Sequence, residues 1–358
     1  MAEAISHLFA LYSLDSIDVE EWEFVSGKRD SSTLKFSPLC SNITTSVTEL
    51  NLRLFLDSRF SRGLAYSGSG NVTTFTSEFD MVCYYCLLQA KLDKKWGDGG
   101  VKRFVVCFLS SSESSLELFC SELDEYCQLI LEDIQDSGCN PISDKAKRLL
   151  ATWHRNSVEY IGHCVEKLGS SLSSLIYSSL MNSPIKFSGG TETDRQDIEK
   201  FVSTCSLAAL LQPDTKEKAP TTPILLDFEK NDENASLVTI EQNSFQLSHS
   251  DTNPFCEEWA QRMTALADTK PNAANLRQIV EEFKLKAIQD VNTLKRLIKQ
   301  SEASHYALYR SFLFLKSCGN ASVLLRYARQ EAISLSARDS LSVLDSLQSH
   351  LANENVLA

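Results

Sequence analysis

The feature that most constrains the fold of this 358-residue chain is the order in which two kinds of apolar periodicity follow each other in its first half. Runs typical of β-strands occupy residues 6–12 and the stretch around Trp22 to Phe24. A helical pattern covers about 46–60, strand-like runs cover 71–75, 81–89 and 102–110, and helical patterns cover 116–138 and 144–168. The predicted order is therefore strand, strand, helix, three strands, helix, helix.

The first helical pattern has a predicted start and apolar residues at helical spacing. Ser46 and Glu49 have the spacing of a capping box, and the residues before them form a serine-rich connection over 26–45. The apolar side chains counted at helical spacing are Val47, Leu50, Leu54 and Phe55. This spacing predicts a first helix over about 46–60.

The order of elements predicts an α+β fold. It is that of a longin-like five-stranded antiparallel sheet flanked by helices, followed by a mainly α-helical C-terminal domain. We place the longin-like domain at 1–169 and the helical domain at 253–358. Residues 170–252 form a helical connection with a Pro-containing linker at 213–222 and a hairpin of strands 224–228 and 237–240.

Bulk properties exclude several functional classes. The formal net charge of -12 argues against general nucleic-acid binding, which needs clustered Lys and Arg. The N-terminus lacks a secretory pattern, and no apolar run approaches the roughly 20 residues of a membrane-spanning helix. We therefore expect a cytoplasmic protein whose eleven cysteines are thiols.

No motif indicates an enzyme, a cofactor or a metal site. Cys83 and Cys86 have the spacing of half a zinc knuckle, but positions three apart in a strand face opposite sides of a sheet, so buried thiols are expected. The six histidines show no recognisable signature, and the glycines at 68 and 70 fit a β-turn better than a phosphate loop.

A basic helical stretch is the strongest remaining lead. Between Arg277 and Lys316, eight cationic side chains face four acids, a local charge of about +4. The stretch could be the solvated face of a core helix, or it could dock to an acidic partner or to anionic lipid headgroups. It could also pair in cis with the acidic face of the helix at 113–136, which has eight acids and no Lys or Arg.

Blocks of residues in both halves resemble the Njmu-R-one protein family. The N-terminal blocks are Arg59-Phe60-Ser61-Arg62-Gly63, Gly68-Ser69-Gly70-Asn71-Val72, Cys83-Tyr84-Tyr85-Cys86-Leu87, and Phe104-Val105-Val106-Cys107-Phe108-Leu109 with Leu116-Glu117-Leu118-Phe119. The C-terminal blocks are Phe255-Cys256-Glu257 with Trp259, Phe283-Lys284-Leu285-Lys286-Ala287-Ile288-Gln289-Asp290, Leu294-Lys295-Arg296 and His305-Tyr306-Ala307-Leu308. Residues 170–250 match poorly.

The resemblance implies a non-enzymatic adaptor. It implies the small subunit of the WDR-eleven complex, with a WD-repeat subunit and a FAM-ninety-one-type subunit as partners. That assembly captures endosome-derived vesicles at the trans-Golgi network, where the subunit would be peripheral on the network and on cytoplasmic vesicles through its partners. A link with spermatogenesis also belongs to the family and implies no mechanism.

Two interaction surfaces are predicted from these blocks. One is Arg59 and Arg62 beside the strand of Tyr84 and Tyr85, and the other is the basic helix with Lys284, Lys286, Lys295 and Arg296. A small-GTPase regulator or effector platform on the longin-like domain is the alternative function, and a cysteine-dependent enzyme is a third.

Overall fold

The computed structural model describes residues 7–15, 35–60, 68–76, 80–92, 100–111, 115–138, 141–211, 225–226, 236–241, 244–247, 251–269 and 272–354. The chain divides into two compact units, Met1–Glu159 and Tyr160–Ala358. The predicted strand at Trp22 to Phe24, Arg62 and the linker at 213–222 lie outside the described residues.

The first unit is built on a five-stranded antiparallel sheet. Its strands are β1 (His7–Asp15), β2 (Lys35–Ser41), β3 (Gly70–Thr76), β4 (Asp80–Leu92) and β5 (Gly100–Ser110), in the order β2-β1-β5-β4-β3. Its helices are α1 (Ser46–Phe60), α2 (Cys120–Ser137), entered through a 3-10 turn at Leu116–Phe119, and α3 (Asp144–His154). The predicted longin-like sheet flanked by helices is confirmed.

Helices cover both faces of this sheet. Because side chains alternate along a strand, Tyr85 and Cys107 pack towards α1, where Leu52 and Leu56 complete the core. On the other face Phe108 stacks on Trp153 of α3, with ring centroids 4.8 Å apart. The unit is therefore a helix–sheet–helix sandwich with a core on each side of the sheet.

One detail of the N-terminal predictions is corrected. Residues 35–41, predicted to be part of a serine-rich connection, form β2, which pairs with β1 across a register shift at Leu11/Tyr12. Helix α1 spans the predicted 46–60. Of its four apolar positions counted at helical spacing, Phe55 packs against the core and the other three lie on the outer face. Val47, Leu50 and Leu54 are 49%, 58% and 61% exposed, and Leu52 and Leu56 face the sheet instead.

The second unit is mainly helical. Its helices are α4 (Tyr160–Leu168), α5 (Leu172–Leu180), α6 (Glu192–Cys205), α7 (Ala208–Leu211), α8 (Pro254–Thr269), α9 (Ala273–Ser301), α10 (His305–Cys318), α11 (Ala321–Ser334) and α12 (Arg338–Asn353). The long α9 packs against α8, α10 and α11 and buries Phe283, Val291 and Leu294 completely. α4 packs against α6, α8 and α9, so this unit begins at residue 160, ten residues before the predicted start of the next segment at 170.

The second unit also contains a small sheet that sequence patterns did not predict. β6 (Ile185–Gly189) lies between β7 (Leu225–Leu226) and β8 (Ser236–Glu241), parallel to both, and β9 (Ser244–Leu247) pairs antiparallel with β8. The predicted hairpin of 224–228 with 237–240 is therefore wrong. The hairpin lies one strand later, between β8 and β9.

Candidate functional site

The first predicted surface lies largely in the core. Tyr84 and Tyr85 are 0% and 3% exposed and project to opposite faces of β4. Arg59, at the end of α1, is half-buried: its Nη2 donates to Thr73 Oγ1 at 3.3 Å, and its guanidinium lies 5.2 Å from the centre of the Phe55 ring. These tyrosines therefore hold α1 and α2 to the sheet and do not form an exposed surface with Arg59.

Tyr84 is the centre of a tight polar contact between three elements. Its hydroxyl donates to Asp124 Oδ1 of α2 at 2.6 Å, and the same oxygen accepts the Gly70 backbone N–H of β3 at 2.7 Å. Gly70 sits directly on the Tyr84 ring, since a Cβ there would lie 2.1 Å from Cε2. The Gly68 to Val72 block that carries the resemblance thus has a structural role, and the turn predicted for Gly68 is present with φ of 81°.

The thiols are organised for packing. As predicted, Cys83 and Cys86 project to opposite faces of β4, and both are buried. Burial raises the pKa of the Cys107 and Cys127 thiols well above the ordinary value, and raises that of Cys205 to about 12. A catalytic cysteine needs a stabilised thiolate, so these three side chains do not suit nucleophilic chemistry.

Cys86 is the exception among the buried thiols. A hydrogen bond from Cys127, opposed by burial, lowers the Cys86 pKa. The side chain is nevertheless only 1% exposed, so a substrate cannot reach it without opening the contact between β4 and α2.

Most cations of the basic stretch are used inside the second unit. Five of the eight form ion pairs: Arg277 with Glu281, Lys286 with Asp290, Lys295 with Glu331, Lys299 with Glu302 and Lys316 with Glu354. Lys284 Nζ donates to the Thr204 carbonyl at 2.9 Å. Of the four residues proposed as a surface, Lys284, Lys286 and Lys295 are thus engaged within the unit, and Arg296 is exposed.

The acidic helix face is also less uniform than its sequence suggests. Asp133 is 4% exposed and accepts a hydrogen bond from Ser143 Oγ, and Asp124 accepts the two bonds described above. Glu117, Glu125, Glu132 and Asp136 remain exposed. Docking through either charged helix stays a prediction.

One face of α10 carries several exposed apolar side chains. Tyr306, Tyr309 and Leu313, at helical positions i, i+3 and i+7, are 71%, 57% and 44% exposed, with the exposed Arg310 beside them. No acid occurs in α10. This helix belongs to the basic stretch, but its distinctive property is the exposed stripe of two tyrosines and a leucine, which follows from the apolar spacing of residues 306–313.

A second exposed stripe lies on α1 of the first unit. Val47, Leu50 and Leu54 share one face of the helix, which Asn51 and Ser58 continue, and the half-buried Asp57, three residues after Leu54, lies at its edge. Glu49 and Arg53, which pair at 2.5 Å, border it on one side.

The fold also brings together polar side chains that are far apart in sequence. His7 of β1 stacks on His154, the last residue of α3, with ring centroids 3.3 Å apart, and Glu159 Oε1 lies 3.1 Å from His154 Nδ1. Burial, with the neighbouring His154, lowers the pKa of His7 to about 4. The two histidines are 147 positions apart in the sequence, so no short motif could predict that they form a cluster.

In the part of the chain that the structure describes, no helix combines the length and the apolar content needed to span a membrane.

Comparison with known proteins places most of the chain in one family. The model of the Njmu-R1-like protein family matches residues 23–350. Protein Njmu-R1 of Mus musculus is 32% identical over 294 residues, which cover 80% of this chain and 73% of the mouse protein.

Proposed function

The chain belongs to the Njmu-R1-like protein family, and on this premise we propose that it is a non-enzymatic adaptor subunit that acts through protein–protein interfaces. The partners are a WD-repeat subunit and a FAM-ninety-one-type subunit, as the resemblance implies. The assembly captures endosome-derived vesicles at the trans-Golgi network, and the chain is cytoplasmic and peripheral to the membrane through its partners.

The observation that carries the adaptor role is the exposed face of α10. Burying Tyr306, Tyr309 and Leu313 against a partner would remove from water three large side chains that the monomer leaves exposed. Tyrosine and arginine are enriched among the residues that dominate binding energy at protein interfaces. A partner groove with an apolar floor and acids at its rim fits this face, because α10 offers cations and no acid.

Co-purification of the three subunits tests the proposal. We expect the double substitution of Tyr306 and Tyr309 to Ala to abolish or strongly reduce recovery of one partner, since alanine at a dominant interface residue costs about 2 kcal/mol or more. Leu129→Ala is the matched control, because Leu129 is a 48% exposed apolar residue on α2, outside the proposed face.

A charge-reversal variant of Lys284, Lys286, Lys295 and Arg296 shows whether partners bind the face of α10 or the basic helix. If α10 is the interface, this variant perturbs folding through the lost contacts but spares partner recovery from the folded fraction. Undiminished recovery by the correctly folded double tyrosine variant would refute the α10 interface.

The exposed apolar stripe of α1 favours a second candidate, a platform for a small GTPase on the longin-like unit. Val47, Leu50 and Leu54 form an apolar face on the side of α1 away from the sheet, separate in sequence from α10. Nucleotide-exchange and binding assays on Golgi and endosomal GTPases test it, with Leu50→Ser and Leu54→Ser combined as the variant. Loss of a GTPase signal in that variant supports the candidate, and absence of any signal in the natural chain eliminates it.

A further inference from the structure

Two histidines and a glutamate meet at one end of the first unit. One ligand-capable atom from each of His7, His154 and Glu159 lies within 4.8 Å of the other two. His7 begins β1, opposite Ser110 at the end of β5, and its Nδ1 lies 3.3 Å from Ser110 Oγ. The three side chains come from three different elements, so the folded unit alone assembles them.

A local irregularity of the backbone creates the pairing of His154 with Glu159. Arg155–Glu159 form a π-helical turn between α3 and α4. In a regular α-helix residue i+5 points well away from residue i, whereas the wider π turn brings the two to the same side. Such turns are uncommon and occur frequently at functional sites. Here the extra residue brings the Glu159 carboxylate onto the His154 ring.

His154 makes only one of the two hydrogen bonds that a buried imidazole can make, the one between Nδ1 and Glu159. Its side chain is 9% exposed. Nδ1 faces only Glu159, and Nε2 has no hydrogen-bond partner among the described residues. Buried polar nitrogens without a partner are uncommon because they lose hydration and gain nothing in return. The Nε2 atom of His154 can therefore still accept or donate one bond to another group.

We propose that His7, His154 and Glu159 bind a divalent transition-metal ion of the zinc class. Two imidazoles and one carboxylate form a ligand set that zinc uses in proteins, with the fourth position open to water. Zinc–ligand distances of about 2.0–2.2 Å bring donor atoms to within roughly 3.5 Å of each other, so the donors must close on the ion. Glu159, at 43% exposed, and the half-buried His7 have room to move.

Binding requires a defined rearrangement of the two rings. The stacked imidazoles lie at 14° to each other, and nearly parallel planes cannot both contain one ion. One ring, the less buried His7, must turn about its side-chain torsions so that the two planes meet at the metal. The bound ion would then join the start of β1 to the end of α3, and it would stabilise the first unit only in its folded form.

Zinc titration of the full chain, stripped beforehand with a chelator, tests the site. We expect one zinc ion per chain with micromolar or tighter affinity, and a rise in the unfolding temperature on binding. Because loss of an outer-shell partner already weakens metal sites about 10–100-fold, His154→Ala and His7→Ala should weaken zinc binding by at least that factor. Glu159→Gln should weaken it by about tenfold or more.

His163→Ala is the matched control. His163 also faces a carboxylate, Asp197 Oδ2 at 3.3 Å, but no second histidine joins them among the residues that the structure describes. This substitution should leave the zinc affinity within about twofold of the natural chain. Cobalt(II) in place of zinc distinguishes the ligand types, since nitrogen and oxygen ligands give no thiolate-to-metal charge-transfer band.

Three results would overturn the proposal: no stoichiometric zinc binding by the natural chain, equal binding by folded His154→Ala, or a thiolate band with cobalt. Should His154→Ala not fold, Glu159→Gln decides the question, because Glu159 is partly exposed and glutamine keeps its shape. Unchanged zinc affinity in Glu159→Gln would then refute the assignment.

Discussion

Substitution of Gly70 by alanine should be among the most destabilising small changes in the first unit. A Cβ at this position would lie 2.1, 2.2 and 2.3 Å from Cε2, Cζ and Oη of Tyr84. The ring cannot simply move aside, since Tyr84 is 0% exposed and stacks on Phe108 with centroids 5.8 Å apart. Its hydroxyl is also held by Asp124 at 2.6 Å.

The size of the effect follows from two contributions. Forcing an extra methyl group into a packed core costs about 1–3 kcal/mol. Moving the Tyr84 ring also breaks its hydrogen bond to the Asp124 carboxylate, a loss of about 1.5–3 kcal/mol. We therefore expect Gly70→Ala to lower the free energy of unfolding of the first unit by about 3–5 kcal/mol, a large part of the stability of a typical domain.

Hydrogen exchange with peptide resolution measures this change in each unit separately, because two units need not unfold together. The amides of β4 and α2 should lose protection, and those of α9 should not. A Tyr84→Leu background removes the atoms that clash, so adding Gly70→Ala to it should cost much less. Gly162→Ala in α4 is the control: a Cβ there meets nothing within 4 Å, and the change should stabilise the second unit by roughly 0.5–1 kcal/mol. A cost below about 1 kcal/mol for Gly70→Ala, or an equal cost in the Tyr84→Leu background, would refute the steric explanation.

Three further substitutions test other contacts. Ser143→Ala should destabilise the first unit by about 2 kcal/mol in urea unfolding, because Ser143 caps α3 and donates to the buried Asp133 carboxylate. Burial alone would raise the Asp194 pKa, but hydrogen bonds from Lys167 and Thr191 lower it to about 2. The ionised carboxylate therefore stabilises the second unit above about pH 4, and this contribution is lost as pH falls to 2. Asp194→Asn should remove that pH dependence, about 1–2 kcal/mol after solvent screening, in unfolding curves recorded from pH 6 to 2. Phe283→Ala should cost the second unit about 3–5 kcal/mol in thermal unfolding, because the ring is fully buried, and a cost near zero would contradict its place in the core.

The fold class could be predicted from sequence because strand and helix patterns alternate clearly in the first half. The face of α1 that packs on the sheet could not be predicted from sequence, for a physical reason. Its sequence places leucines at positions 50, 52, 54 and 56, so apolar residues occur around much of the helix circumference. Only the sheet decides which face is buried, and it selects Leu52 and Leu56.

Other features depend on contacts between residues far apart in the sequence, which local sequence patterns do not indicate. β6 pairs with β8, which starts some fifty residues later, and the local pattern of 185–189 gives no sign of its partner strand. His7 and His154 meet only because β1 and α3 pack together. By contrast, Asn253 before Pro254 is a local signal for the start of α8, and Asn253 Oδ1 accepts the Cys256 N–H at 2.8 Å as an N-cap.

For the basic stretch, the net charge counted from the sequence differs from the net charge that remains after ion pairing in the folded unit. Counting residues gives +4. However, Lys295 pairs with Glu331 of α11 and Lys316 pairs with Glu354, the residue that follows α12, and both acids lie outside the counted window. Each of these external acids cancels one cation, whereas Arg262, also outside the window, cancels Glu282, so the excess changes from +4 to +3. Lys284, which donates to the Thr204 carbonyl, and the exposed Arg296 and Arg310 account for this excess, and Arg310 stands beside the exposed tyrosines of α10. A partner that recognises this unit therefore gains more from burying aromatic surface than from neutralising charge, and its affinity should depend only weakly on salt.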